Sequence, residues 1–137
     1  MLRFIYSTLV AIKIMSLSIF ILSKTKSYEE LKKDHKAAGI DPFNSFGFES
    51  WRTEVWGSQS IKKLGLKIIP SLESHNIYAY DETVKDLEKE LSVIKENLPQ
   101  LEKEFGFVEG WLGKRLENGI KTVNYIKDNS DLGIEIG

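Results

Sequence analysis

The residues best suited to chemistry are two histidines, His35 and His75, and an aromatic-rich segment between Phe46 and Trp56. Neither histidine lies in the H-E-x-x-H spacing that binds zinc on a helix. The chain also lacks a G-x-S-x-G nucleophile elbow and the glycine-rich loops that cradle phosphates. Because it contains no cysteine, thiolate catalysis and cysteine-based metal sites are excluded. We therefore predict no catalytic residue, no metal site and no cofactor.

The segment Phe46–Trp56 holds four aromatic residues, one arginine and two glutamates among eleven residues. One interpretation is that the rings fill the end of a small core while arginine pairs with a neighbouring glutamate. The other is an aromatic and arginine cluster that binds a protein partner or forms the floor of a ligand cleft. A third tryptophan at the start of the last helix is a candidate member of the cluster. The candidate binding residues are Phe48, Trp51, Arg52, Glu54, Trp56 and Trp111.

Several helices must position these residues. Ser27 and Glu30 form a capping box, which predicts a helix that ends at Gly39. Asp81 is predicted to cap a long helix whose apolar residues follow a heptad spacing, typical of a core-facing helix and less often of a coiled-coil dimer. Pro99 either kinks this helix or starts another. The apolar positions of that helix are Val84, Leu87, Leu91, Ile94 and Leu98.

The remaining elements are short, apart from a last helix over Glu109–Lys127. Leu66–Ile69 and Ile77–Tyr80 are predicted to pair as a loose hairpin. Paired carboxylates such as Glu102 and Glu104 are interpreted as a solvated helix face.

Strands are predicted at both ends of the chain. Apolar residues alternate with serines in Met15–Leu22 and with Gly133 and Glu135 in Leu132–Ile136. We expect these two strands to pair, because pairing of chain-end strands is a common way to close a domain. The predicted fold is therefore a single helix-rich α+β domain, residues 15–137, with a small sheet that includes both strands.

The N-terminal stretch Met1–Leu22 has a second interpretation. Read as one apolar segment it is a weak signal peptide or membrane anchor, although Lys13 lies in its middle and no good cleavage motif follows. If translation starts at Met15, residues 1–14 are an extension and the protein is cytoplasmic. We favour the start at Met15 and a cytoplasmic protein, so a membrane is expected as a partner only through Met1–Leu22.

Charge limits the class of partner. The net charge is −1 over 137 residues, and removal of residues 1–14, which contain Arg3 and Lys13, would make it more negative. Since there is no basic excess to neutralise phosphates, nucleic acid is not expected as a partner.

The pattern Trp51-Arg-x-x-Val-Trp-Gly-Ser58, followed by Leu64-Gly65 and Ile69-Pro-x-Leu72, resembles a family of small bacterial proteins with no established activity. The resemblance covers about residues 15–128. It implies a start at Met15 and a bacterial origin, and it assigns no catalytic residue.

The function favoured by the sequence is non-enzymatic protein binding, in the manner of a bacterial immunity or antitoxin-like protein. One alternative is a small-ligand-binding protein or an enzyme with an unfamiliar site around Trp51, Arg52, Glu54 and Trp111. The other is an exported or membrane-anchored domain held by Met1–Leu22.

Overall fold

The computed structural model describes residues 16–43 and 45–137. The described part of the chain is a helix-rich α+β domain with a small three-stranded antiparallel sheet, as predicted. Residues 1–14, the predicted extension, and Met15 lie outside the described residues. No helix within the described part has the length and apolar character needed to cross a bilayer.

The elements in chain order are β1 (Ile19–Ser23), α1 (Tyr28–Ala38), a π-helical turn (Arg52–Trp56), α2 (Gln59–Lys62), a 3-10 helix (Ile69–Glu73), β2 (Ile77–Tyr80), α3 (Glu82–Glu96), α4 (Leu98–Glu104), α5 (Trp111–Ile126) and β3 (Leu132–Ile136). Strand β3 lies at the centre of the sheet, between β1 and β2. The pairing of the two chain-end strands is therefore confirmed, with Ile21 opposite Ile134.

The predicted hairpin between Leu66–Ile69 and Ile77–Tyr80 is wrong. Strand β2 pairs with β3 instead, and the 3-10 helix takes the place of the other strand. The reason is a long-range contact: the Glu90 carboxylate accepts hydrogen bonds from the backbone N–H groups of Lys67, Ile68 and Ile69. A carboxylate that binds three successive N–H groups favours a helical start and leaves them unavailable to a ladder.

Local signals place most of the helices. Ser27 and Glu30 form the predicted capping box of α1, which ends at Gly39 in the left-handed conformation. Pro99 starts α4 rather than kinking α3. Asp81 precedes α3 as predicted, but its side chain caps no N–H group, and its φ is positive, at 50°.

The core lies between one face of the sheet and helices α3 and α5. Alternate residues of a strand point to the same side of the sheet. The side chains on the side that faces these helices are buried. They are Ile19, Ile21, Ile77, Ala79, Ile134 and Ile136. On the opposite face, Phe20 and Tyr78 flank Glu135 in one row, and the ring of Tyr80 covers Gly133 in the next.

Polar side chains satisfy the outer edge of β1. The N–H of Ile19 donates to Pro42 O and Ser45 Oγ, and the N–H of Ile21 donates to His35 Nε2 at 2.9 Å. His35 Nδ1 lies 2.8 Å from Leu31 O. The buried ring therefore serves as an acceptor for the strand edge through Nε2, and its Nδ1 is placed to donate to Leu31 O.

Asp34 ties α1 to α5. It accepts hydrogen bonds from Tyr125 Oη at 2.6 Å and from Lys26 Nζ at 3.1 Å. Burial alone raises the pKa of a carboxyl group, but these bonds outweigh it and hold the pKa of Asp34 below its ordinary value of 3.8. The hydrogen bond from Tyr125 to Asp34 also raises the pKa of Tyr125.

Backbone amides of β2 are expected to exchange in alternation. Ser18 and Gly137 exchange both backbone hydrogen bonds, so the N–H groups of Gly133 and Glu135 point to β1 and those of Ile134 and Ile136 point to β2. The backbone N–H groups of Ile77 and Ala79 must then point to β3, while those of Tyr78 and Tyr80 point away from the sheet. We expect slow exchange at Ala79 and fast exchange at Tyr78 and Tyr80, measured by NMR in D2O. Equal protection at all of these positions would contradict this register.

The substitution Asp34→Asn is expected to lower the free energy of unfolding by about 1–2 kcal/mol near neutral pH, because it weakens a charge-assisted contact. Since the pKa of Asp34 is lower in the folded state, its contribution is complete above the unfolded pKa and is lost as pH falls through the folded pKa. In urea unfolding experiments, the free energies of unfolding of the two proteins should therefore converge as the pH falls below 3.8. A difference that stays constant down to low pH would show that the charge of Asp34 is not responsible.

Candidate functional site

The aromatic segment folds into a continuous cluster of rings. Trp56 stacks on Phe46 with ring centroids 4.2 Å apart, and its Nε1 donates to the carbonyl oxygen of Phe46. Trp51 stacks on Phe107 at 5.3 Å and meets Trp56 edge-to-face. Phe48 meets Trp51 edge-to-face. The cluster therefore joins the π-helical turn to the loop before α5.

Backbone geometry makes room for this cluster. Gly47 has a φ of 95° and a Cβ there would overlap the ring of Trp51. A Cβ on Gly119 of α5 would lie 3.2 Å from the ring of Phe46. Each glycine thus permits an aromatic ring to lie directly against the backbone.

Trp111 joins the cluster at its solvent side. Its ring lies 6.2 Å from that of Phe48, and it is 37% exposed, whereas Trp51 is 4% and Trp56 is 0% exposed. The candidate residues therefore divide into a buried part, Trp51 and Trp56, and an exposed part at Trp111. The buried part fills the core, as one of the two interpretations expected.

Arg52 and Glu54 do not belong to the exposed part of the ring cluster at Trp111. The guanidinium of Arg52 donates to Leu72 O and to Asn76 Oδ1, and it forms an ion pair with Glu49. It therefore braces the π-helical turn against the segment before β2. Glu54 is exposed on the same turn.

Arg115 is the functional candidate that the sequence analysis missed. Its guanidinium carbon lies 4.1 Å from the ring centroid of Trp111 and 5.9 Å from that of Trp51. Nη1 donates to the carbonyl oxygen of Trp111. The spacing of four residues between Trp111 and Arg115 on a helix was the available signal, because such residues lie on one face.

The Arg115 cation has no acidic partner among the residues that the structure describes. Burial against the two indole rings lowers the pKa of its guanidinium, which stays charged at neutral pH. A partly desolvated guanidinium that stacks on an indole ring gains from the ring quadrupole. It also keeps most of its five N–H donors for another group.

A surface cavity of about 340 Å³ lies over this pair. We call it, with its rim, the Trp111 surface, and define it by Val108, Glu109, Trp111, Lys114 and Arg115. Val108 is 73% exposed at its edge. A further cavity of about 510 Å³ lies on the other side of Glu109 and Gly110 and is lined in part by Phe107 and Glu102.

Glu102 corrects the expectation of a solvated carboxylate. Its side chain is buried, and Oε2 accepts from the N–H groups of Leu112 and Gly113 at the start of α5. Glu102 therefore acts as an N-terminal cap for α5 that a neighbouring helix supplies. By orienting α5, it also positions Trp111 and Arg115. Glu104 is exposed and pairs with Lys63, as a solvated residue should.

No family model, curated protein or solved structure matches the chain. The resemblance based on Trp51–Ser58 therefore stays a prediction. Among residues 16–43 and 45–137, no group of three or more histidine or acidic side chains is arranged to hold a metal ion.

The two tryptophans at the ends of this cluster should differ sharply in their effect on stability. We expect Trp51→Ala to lower the free energy of unfolding by about 3–5 kcal/mol, because it empties a buried site. Trp111→Ala should cost less than about 1.5 kcal/mol, since that ring is 37% exposed. Urea denaturation followed by circular dichroism measures both. Similar losses for the two variants would show that Trp111 is a core residue and not a surface one.

Proposed function

We propose that this chain is a non-enzymatic protein-binding domain that contacts its partner through the Trp111 surface. The observation that carries the proposal is the Arg115 guanidinium, stacked 4.1 Å from the exposed ring of Trp111. Tryptophan and arginine are the residue types most enriched where interfaces concentrate their binding energy. A carboxylate on the partner is the natural complement, because a guanidinium binds it in a bidentate manner.

Preorganisation supports the proposal. Trp111 rests against Phe48, and Arg115 is held by stacking and by its bond to the Trp111 carbonyl oxygen. The two side chains therefore have less rotamer freedom to lose on binding than exposed residues do. The exposed side chain of Val108 adds apolar area beside them.

We extend the proposal to toxin-neutralising immunity or antitoxin-like proteins of bacteria and to a cytoplasmic location. This extension is an analogy based on 137 residues, a net charge of −1 and the absence of cysteine. The small-ligand or enzymatic alternative needed Arg52 beside Trp111. Because Arg52 binds Leu72 and Asn76 instead, a protein partner is favoured over that site.

Affinity capture from the native host, with quantitative mass spectrometry, tests the proposal. We expect one stoichiometric protein partner with the unaltered chain, and at least about tenfold weaker binding of that partner to Trp111→Ala and Arg115→Glu, because both remove a central contact. Circular dichroism verifies that each variant is folded.

The chain offers a matched control on α1. Tyr28 is 54% exposed and Lys32 lies over its ring at 5.6 Å, so it presents a similar aromatic and cationic pair on another surface. Tyr28→Ala should retain the partner. The proposal is wrong if no stoichiometric partner is recovered, or if the partner is lost with Tyr28→Ala and retained with Arg115→Glu.

A further inference from the structure

The two edges of the sheet differ in how their hydrogen-bonding groups are used. The outward N–H groups of β1 are bound by Pro42, Ser45 and His35. On β2 the outward groups are the N–H and C=O of Tyr78 and Tyr80, as the pairing of Ser18 with Gly137 requires. Among the residues that the structure describes, neither of these N–H groups has a hydrogen-bond partner. One edge is thus satisfied and the other is available.

A cavity of about 400 Å³ lies beside the available edge. Ile68 and Ile77 contribute apolar surface to it, and Lys67 and His75 contribute its titratable side chains. No aspartate or glutamate is among the residues that line it. The formal charge among the lining residues is therefore the positive charge of Lys67, which favours a negatively charged group on the occupant.

We propose that an extended peptide with an acidic side chain adds to the sheet as a fourth strand along β2, with alternate side chains in this cavity. Residues two apart on an extended chain present N–H and C=O groups to the same side, which matches the spacing of Tyr78 and Tyr80. Main-chain bonds then provide affinity, and the cavity provides selectivity. The site is separate from the Trp111 surface and does not depend on its function.

The short edge of β2 matches a short peptide. The strand has only four residues, and it is followed at once by Asp81 and α3. Lys67, Ile68 and Ser71 line the cavity beside this strand. An edge of this length presents the outward N–H and C=O groups of two residues, Tyr78 and Tyr80, which a short extended segment is sufficient to pair with.

The test is selection of short linear peptides from a random phage-displayed library against the immobilised full chain, followed by binding of the synthetic peptides in solution. We expect enriched acidic sequences that slow the amide exchange of Tyr78 and Tyr80. Tyr78→Pro removes one outward N–H, and proline is tolerated on an edge strand whose N–H faces solvent. It should weaken binding about tenfold or more, while Tyr78→Ala, which keeps the N–H, should bind more tightly than Tyr78→Pro.

A second pair of variants keeps the proposal testable if Tyr78→Pro does not fold. Lys67→Glu should weaken the acidic peptides, whereas Lys36→Glu, the same change at an exposed position of α1, should not. The proposal is overturned if no peptide is enriched, if binding is indifferent to Tyr78→Pro and Lys67→Glu, or if the chain instead forms a dimer that Tyr78→Pro dissociates. Loss of peptide binding leaves capture through Arg115 unaffected, so the two proposals fail independently.

Discussion

The last strand of the chain, β3, is the element on which the rest of the structure depends. It pairs on one side with β1 and on the other with β2, and its inward residues Ile134 and Ile136 are fully buried. Helices α3 and α5 pack on the face that this sheet presents. Without β3 the other two strands have no hydrogen-bonding partner in the sheet, and their apolar side chains lose the buried neighbours Ile134 and Ile136. Because the contact joins the two ends of the described chain, its loop-closure entropy opposes folding until most of the chain is in place.

The central position of β3 also determines how polar groups are used. A strand paired on both sides leaves two edges, and the edge of β1 is covered by His35 and Ser45. Elsewhere the buried or half-buried carboxylates of Glu90 and Glu102 bind backbone N–H groups at helix starts. Side chains that could have done chemistry are thereby committed to satisfying the backbone, as the cost of unpaired buried groups requires. Among the described residues, the Arg115 cation on its indole ring and the outward edge of β2 stay accessible.

The sequence predicts those parts of the fold whose causes are local. The capping box of Ser27 and Glu30 and the alternation of Leu132–Ile136 each lie within a few residues, and both are confirmed. The prediction of a strand before Pro70 was wrong because the conformation of that segment depends on Glu90, more than twenty residues away. The candidate site shows the same difference between what local spacing predicts and what long-range contacts determine. The grouping of Trp51, Trp56 and Trp111 was correctly anticipated, but the partners of Arg52 at Leu72 and Asn76 are contacts that no sequence spacing reveals.

The most direct test of this account is the cooperativity of unfolding in a chain that ends at Asp131 and so lacks β3. If β3 holds the sheet together, urea titration of the shortened chain followed by near-ultraviolet circular dichroism should show no cooperative transition and little tertiary signal, although α1, α3 and α5 retain part of their helicity. A sharp transition with an unchanged dependence on urea concentration would contradict it, because the remaining elements would then form the core without the last strand.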